Sequence, residues 1–308
     1  MKIIYMGTPD FAVYPLKDLL ANGHQVVAVF SKEDKLQGRG QKIIASPVKD
    51  FALKQDMAVY VPKTLRDEAT QALLASFTAD AIVVFAYGLI LPPEVLYMPK
   101  YGCINIHPSL LPLWRGASPV ASAILNGDSI TGVSIMHMDS GIDSGALFGQ
   151  ATIEIAENDT TATLTDKLAK LSGGLLCSVL DGLQQGQICP LPQDESLVTM
   201  SKKFDKKRGL LDFNKSAYEL KRAVMAFNPW PSAYTYFNGK ILKINTASHD
   251  DSISDHAVGT VASYGKDFAI VCKHGLLLPL QVQLEGKKAM TAREFLNGTA
   301  GFIGSALV

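Results

Sequence analysis

The stretch CINIHPSLLPLWRGASP (Cys103–Pro119) sets Asn105 and His107 two residues apart at the close of an apolar run, then follows them with three prolines, a Trp and an Arg. CINIH reads as a strand, and residues two apart on an extended chain point to the same side. Pro108 and Pro112 hold HPSLLP out of a helix, in a loop whose backbone groups cannot all pair locally. In open parallel sheets, ligands bind beyond the carboxyl ends of the strands. A strand-end loop with outward-facing backbone suits a flat, hydrogen-bonding ring. An isolated Asn-X-His is otherwise a satisfied histidine at a strand end, and the prolines are what weigh against that reading.

Working outward, KIIYMG, QVVAVF (Gln25–Phe30), MAVYV (Met57–Val61) and DAIVVFAY (Asp80–Tyr87) are unbroken apolar runs separated by helical patterns. This alternation predicts an α/β fold: a Rossmann-like, doubly wound, mostly parallel sheet covered on both faces. Thr8 is expected to cap a helix running to about Leu20, with Pro9 in its first turn. SPVASAILNG (Ser118–Gly127) is the helix after CINIH. TGVSIMHMD and ALFGQATIEI read as strands, and a long helix lies within Thr160–Leu183. A stretch with two prolines and no helical period follows. The division expected is a catalytic domain over 1–188, a linker over 189–208 and a further domain over 209–308. In the last, a helix over about Lys215–Phe227 precedes short strands with turns at Asn238-Gly239, Tyr264-Gly265, His274-Gly275 and Glu285-Gly286, the pattern of a small OB-like β-barrel.

The chain has 308 residues, long enough for two domains with their own cores. Its 47% hydrophobic and 19% charged residues describe a globular protein. No apolar run approaches the roughly 20 residues that span a bilayer, and the N-terminus lacks the length and cleavage pattern of a signal peptide, so a cytoplasmic location is expected. Cys103, Cys177, Cys189 and Cys272 are far apart, and the six histidines include no HxxxH pair; neither a disulfide framework nor a metal site is expected.

Net charge is zero, but unevenly spread. Residues 201–308 hold 15 Lys and Arg against 9 Asp and Glu, leaving 14 against 20 before them, so the two parts carry +6 and −6. Such asymmetry suits a polyanion partner, or a chance imbalance on a solvated face. Two basic segments sharpen it. SKEDKLQGRGQKIIASP (Ser31–Pro47) carries Lys32, Lys35, Arg39 and Lys42 on an insertion longer than a usual βα connection. KKFDKKR (Lys202–Arg208) has five basic residues and one acidic, Lys206, Lys207 and Arg208 among them. Together they trace a path for a phosphate backbone.

HMDSGIDSG (His137–Gly145) offers two readings. Asp139 and Asp143 could begin a metal loop, though further ligands are missing. Alternatively, a glycine turn aims Asp143 toward a neighbour; an Asp beside His107 would favour the imidazolium and orient the ring. Asn, His and Asp together suit acyl transfer, with donors to a developing oxyanion and a carboxylate to manage protons. There is no GxSxG, and Cys103 on a buried strand is read as a small core residue, so transfer without a covalent enzyme is the simpler mechanism. MGTPDF has one glycine where a dinucleotide turn needs three, and NAD is not expected.

The motifs MGTPDFA, GRGQK, SPVK, VVFAYGLILP, NIHPSLLPLWRGASP, MDSGIDSG and FNPWPSAYT resemble, nearly end to end and in order, those of the methionyl-tRNA formyltransferase family. Asn-X-His-Pro-Ser-Leu-Leu-Pro with a downstream Asp resembles the wider formyltetrahydrofolate-dependent formyltransferases. The resemblance implies that Asn105, His107 and Asp143 form a catalytic trio. It implies a folate pocket from Ser109, Leu110, Leu111 and Pro112 with Tyr87, Leu89 and Leu91 of the Phe85–Leu91 loop. It also implies that Arg39 and its arm read an acceptor stem, with an OB-fold tRNA binder behind. The expected reaction moves the formyl group of 10-formyltetrahydrofolate, a cosubstrate, to the α-amine of methionine on initiator tRNA. Its rivals are a same-fold enzyme acting on a small amine, a formyltetrahydrofolate hydrolase, and a noncatalytic tRNA-binding protein.

Overall fold

KIIYMG forms β1 (Lys2–Gly7), buried at every position after Lys2 because it lies inside a seven-stranded sheet. The other strands of this part are β2 (Gln25–Phe30), β3 (Lys35–Gln37), β4 (Lys42–Ile44), β5 (Val59–Tyr60), β6 (Ala81–Phe85), β7 (Cys103–His107), β8 (Arg115–Gly116), β9 (Ile130–His137), β10 (Leu147–Glu154) and β11 (Met200–Ser201). The sheet order is β10-β9-β7-β6-β1-β2-β5. Strands β5, β2, β1, β6 and β7 run parallel, while β9 pairs antiparallel with β7. The chain therefore winds outward from β1 to β5, crosses back and winds outward again from β6, which is the doubly wound, mostly parallel arrangement expected. Helices α1 (Val13–Ala21), α2 (Pro47–Lys54), α3 (Glu68–Ser76) and α4 (Pro93–Leu96) fill the connections.

The computed structural model describes residues 1–37 and 42–308. They divide into two units, one of Met1–Gly116, Ile130–Ile153 and Thr165–Ser201, the other of Ala117–Ser129, Glu154–Leu164 and Lys202–Val308. The first helix departs from expectation. Asp10–Ala12 is a 3₁₀ turn and α1 begins only at Val13: the residue that precedes the turn is Pro9, which has no side-chain cap to offer, and the Thr8 hydroxyl is directed to the Tyr87 carbonyl (2.9 Å). The stretch read as a linker also differs: up to Ser201 it is tied into the first unit. Leu147 and Leu191 exchange backbone hydrogen bonds, and β11 pairs parallel with β8. The physical reason is backbone satisfaction, since β8 has no other strand partner among the described residues.

The second unit contains α5 (Pro119–Asn126), the start of α6 (Thr161–Gln184) and α7 (Ala217–Ala226), whose N-terminus is closed by a Ser216–Glu219 capping box. Helix α5 ends at Gly127, where φ is +84° and a Cβ would strike the Arg222 guanidinium. Arg222 reaches from α7 to donate to the Asn126 carbonyl at 2.9 Å. Its sheet comprises β12 (Ala233–Phe237), β13 (Lys240–Asp250), β14 (Val261–Tyr264), β15 (Asp267–Val271) and β16 (Leu276–Leu284), with β17 (Met290–Thr291) beside β16 and α8 (Ala292–Asn297) following. Asn238 and Gly239, at φ +50° and +72°, make the tight turn between β12 and β13 that the sequence announced. Phe302 stands edge-to-face with Phe237, Phe268 and Phe295 at centroid distances of 4.8–4.9 Å.

Residues 304–308 join the two edges of this sheet. Gly304 donates to the Val261 carbonyl, Val261 to the Ser305 carbonyl and Leu307 to the Gly259 carbonyl beside β14. The Val308 carbonyl accepts from the Tyr236 N–H (3.0 Å) and the Thr235 hydroxyl (2.9 Å) of β12. The small barrel is thus closed by its tail.

Candidate active site

Strand β7 carries Asn105 and His107 to its carboxyl end, where the chain turns at Pro108. His107 is buried, with 4% of its surface exposed. The Ser109 hydroxyl donates to the Leu113 carbonyl (2.7 Å), so its lone pair accepts from His107 Nδ1–H (2.9 Å). The ring is held by its far nitrogen, and Nε2 is left facing Asp143 Oδ2 at 3.2 Å. That contact is close but off the line of a ring N–H bond, so buried Nε2 has no aligned hydrogen-bond partner among the described residues. The Asn105 side chain is half-buried, and none of the hydrogen bonds among the described residues engages its amide.

Asp143 sits at φ +50°, a left-handed conformation unusual for a side-chain-bearing residue. Gly145 lets the loop fold back, since a Cβ there would lie 1.7 Å from the His137 carbonyl oxygen. The Asp143 carboxylate accepts the Gly116 N–H at 2.8 Å. Burial alone would push its pKa up; the contacts with His107, the Gly116 N–H and the charge of Arg115 outweigh it and hold the carboxyl below the usual range. The glycine-turn reading of HMDSGIDSG therefore matches the geometry. Asp139 instead accepts from the Gly141 N–H and the Ser144 hydroxyl, and no cluster of three or more metal-ligating side chains occurs among the described residues.

The proline loop departs from expectation. Its backbone does not face outward: the Leu111 N–H donates to Ser134 Oγ, Ser134 donates to the Ser109 carbonyl, and Gln150 donates to the Leu111 carbonyl. The Leu110 and Pro112 carbonyls accept from Leu113 and Thr199. Buried polar backbone must find partners, and here β9 and β10 supply them. Ser109 and Leu111 are buried, while Leu110 lies over Gly132, where a Cβ would meet it at 2.5 Å. Tyr87 and Leu91 belong to the core, with Leu89 packed on it. The Tyr87 hydroxyl is buried without a hydrogen bond among the described residues, and burial raises its pKa beyond the ordinary phenol range. A cavity of about 600 Å³ lies beside this loop, lined by Arg66, Gln71, Ile90, Leu91, Pro92 and Ser140.

Cys103 is fully buried, its Sγ donating to the Val95 carbonyl, and burial pushes the thiol up to about 12; it is no nucleophile. Arg39 lies outside the described residues, and Lys42 is placed on β4 of the first unit. Lys206, Lys207 and Arg208 form an exposed 3₁₀ turn in the second unit, capped by Asp205. The reading of the sequence missed Arg115, Gly116 and Gln193, which surround Asp143. Only the RG pair, next to the proline loop, gave any signal.

Residues 1–180 match the family described as "Formyl transferase", and residues 203–300 match "Formyl transferase, C-terminal domain". Methionyl-tRNA formyltransferase of Lachnospira eligens is 44% identical over 304 residues, covering 97% of this chain and 96% of its own. The chain belongs to the methionyl-tRNA formyltransferase family. Another family member, from Hydrogenovibrio crunogenus, is 46% identical over 296 residues, covering 96% of this chain and 95% of its own. Among solved structures, HypX from Aquifex aeolicus in complex with tetrahydrofolic acid aligns at a TM-score of 0.67 and 15% identity. That alignment covers 99% of this chain and 48% of the other; the chain spans about half the length of that protein, and the likeness is one of fold. The first match contains Asn105, His107 and Asp143. Gln193 falls between the two matches.

Proposed function

We propose that the chain transfers the formyl group of 10-formyltetrahydrofolate to the α-amine of methionine on initiator tRNA. The observation that carries the chemistry is the contact at 3.2 Å between buried His107 and half-buried Asp143, at the end of the strand that presents Asn105. The acceptor is inferred from the family membership and from the basic segments.

In this reading the amine nitrogen attacks the formyl carbon, and the carbonyl oxygen becomes an oxyanion. The Asn105 amide and the His107 ring donate to that oxygen. Asp143 orients the ring and takes part in removing the amine proton. Collapse of the intermediate breaks the bond from carbon to N10 of the folate, and N10 takes up a proton. Ser109 holds the ring, and Leu110, Leu111 and Pro112 shape the folate pocket by packing; Tyr87, Leu89 and Leu91 form its other wall. The cavity beside Arg66 and Ser140 is open to the remainder of the folate. Arg39 and Lys42 on the arm, with Lys206, Lys207 and Arg208, contact tRNA phosphates. An aminoacyl-tRNA acceptor supports a cytoplasmic location.

The test offers 10-formyltetrahydrofolate with methionyl initiator tRNA, glycinamide ribonucleotide or water as acceptor. Formyl transfer to the tRNA is the expected outcome. Transfer only to the small amine, or release of free formate, overturns the acceptor while leaving the chemistry in place.

A further inference from the structure

The segment between the two family matches does more than join them. Gln193 is buried, with 8% of its surface exposed, and all its hydrogen-bonding capacity toward the protein is directed at one loop and one arginine. Its Nε2 donates to the Asp143 carbonyl at 2.8 Å and the Gly145 carbonyl at 2.7 Å. Its Oε1 accepts from Arg115 Nε at 3.0 Å. The amide orientation follows from this network, because a guanidinium only donates and a carbonyl only accepts. Arg115 is itself buried and is held from the far side by Glu195, at 2.7 Å from Nη2 and 3.2 Å from Nη1.

We propose that Gln193 is a positioning residue for Asp143, locking the loop that aims the carboxylate at His107. The proposal rests on the catalytic reading above. Asp143 has a left-handed φ of +50°, which a side-chain-bearing residue keeps only when its surroundings over-determine it. Among the described residues, the hydrogen bonds to the carbonyls of Asp143 and Gly145 come from Gln193. The same carboxylate reaches Gly116, whose strand partner is Ser201 and whose neighbour Arg115 is bonded to Gln193 and Glu195. The 191–201 segment thus holds both ends of the contact: the loop that bears Asp143 and the β8 strand that receives it.

Two variants separate this role from simple packing. Gln193→Glu keeps the size and the acceptor for Arg115 but sets a carboxylate against two carbonyl oxygens; Gln193→Met removes the donors without adding charge. In each, kcat for formyl transfer is expected to fall by about 10- to 100-fold, the scale of a misplaced catalytic group, with KM for folate and tRNA changed by less than about threefold. The Asp143 side-chain carbon, followed by NMR in the full chain without substrate, is expected to titrate at higher pH than in the unmodified protein, and the acid limb of kcat to move with it. A kcat within about twofold of the original, or a loss of kcat with the Asp143 titration unmoved, overturns the proposal. If neither variant folds, Gln193→Asn, which keeps the amide but draws its donors back from both carbonyls, reads the same contacts: lowered kcat and a raised Asp143 titration support the role, and no change in either overturns it. The titration needs no acceptor, so a failure of the unmodified protein to formylate methionyl-tRNA sinks the functional reading and leaves Gln193 to be judged by Asp143 alone.

Discussion

The Gly116 N–H and His107 Nε2 converge on one oxygen of Asp143, at 2.8 and 3.2 Å. A carboxylate so engaged is stabilised in its charged form, and the cost of burying it is offset by partners that the unfolded chain lacks. Two consequences follow, one for stability against pH and one for turnover. The folded-state pKa of Asp143 is depressed, so its contribution to stability is present above the unfolded aspartate value of about 3.9 and is lost as pH falls through the lower folded value. Unfolding by urea, followed from neutral to acid pH, is expected to show Asp143→Asn losing less stability on acidification than the unmodified protein. Turnover in Asp143→Asn is expected to fall by about 10²- to 10⁴-fold, the range for a lost acid–base group. An identical acid response in both proteins counts against the depressed carboxyl.

Asn105 makes the cleaner catalytic test, because its side chain holds nothing in place among the described residues. Replacing it with Ala removes a donor and no internal bond. Expected are a drop in kcat of about 10²- to 10³-fold and a melting temperature within about 1–2 °C of the original, since no internal hydrogen bond is lost. Near-full turnover at saturating substrates ends the assignment.

The basic segments predict a salt signature. Each lost phosphate contact flattens the dependence of log affinity on log salt by about one unit. Arg39→Ala is expected to do so by that amount, and the Lys206→Ala, Lys207→Ala, Arg208→Ala triple variant by up to about three. Folate KM is expected to stay constant in both. A parallel rise in folate KM refutes the separation of roles.

Deleting residues 305–308 removes the seam of the small barrel. It takes away buried Leu307, whose burial contributes about 1.5–3 kcal/mol, and leaves the Thr235 hydroxyl, fully buried, without its acceptor. A loss of about 3 kcal/mol or more in denaturant unfolding is expected. Unchanged stability means the tail does not close the sheet.

What the sequence made legible follows from how local each signal was. The strands of the parallel sheet announced themselves as apolar runs, and the Asn105–His107 spacing stood on a single strand. The meeting of His107 with Asp143 spans 36 residues, yet a glycine turn made it readable. The partners of the proline loop were not legible, because Ser134 and Gln150 look like ordinary strand residues until β9 is laid beside β7. Gln193 left no trace at all: it lies in a segment without period, and its role depends on Arg115, 78 residues earlier. Thr8 showed the opposite failure. It carried a strong local cap signal, but the helix opens with a 3₁₀ turn preceded by Pro9, and the Thr8 hydroxyl points to the Tyr87 carbonyl instead.

The tail that joins the barrel edges also orders events during synthesis. Sheet edges at Val261 and Tyr236 stay unpaired while residues 304–308 remain inside the ribosomal exit tunnel. The nascent second unit must therefore wait with two open strand edges, though α5, one of its own helices, was made some 180 residues before. Such edges are templates for pairing with another chain. Until residues 304–308 emerge, these two edges are what a chaperone has most to protect.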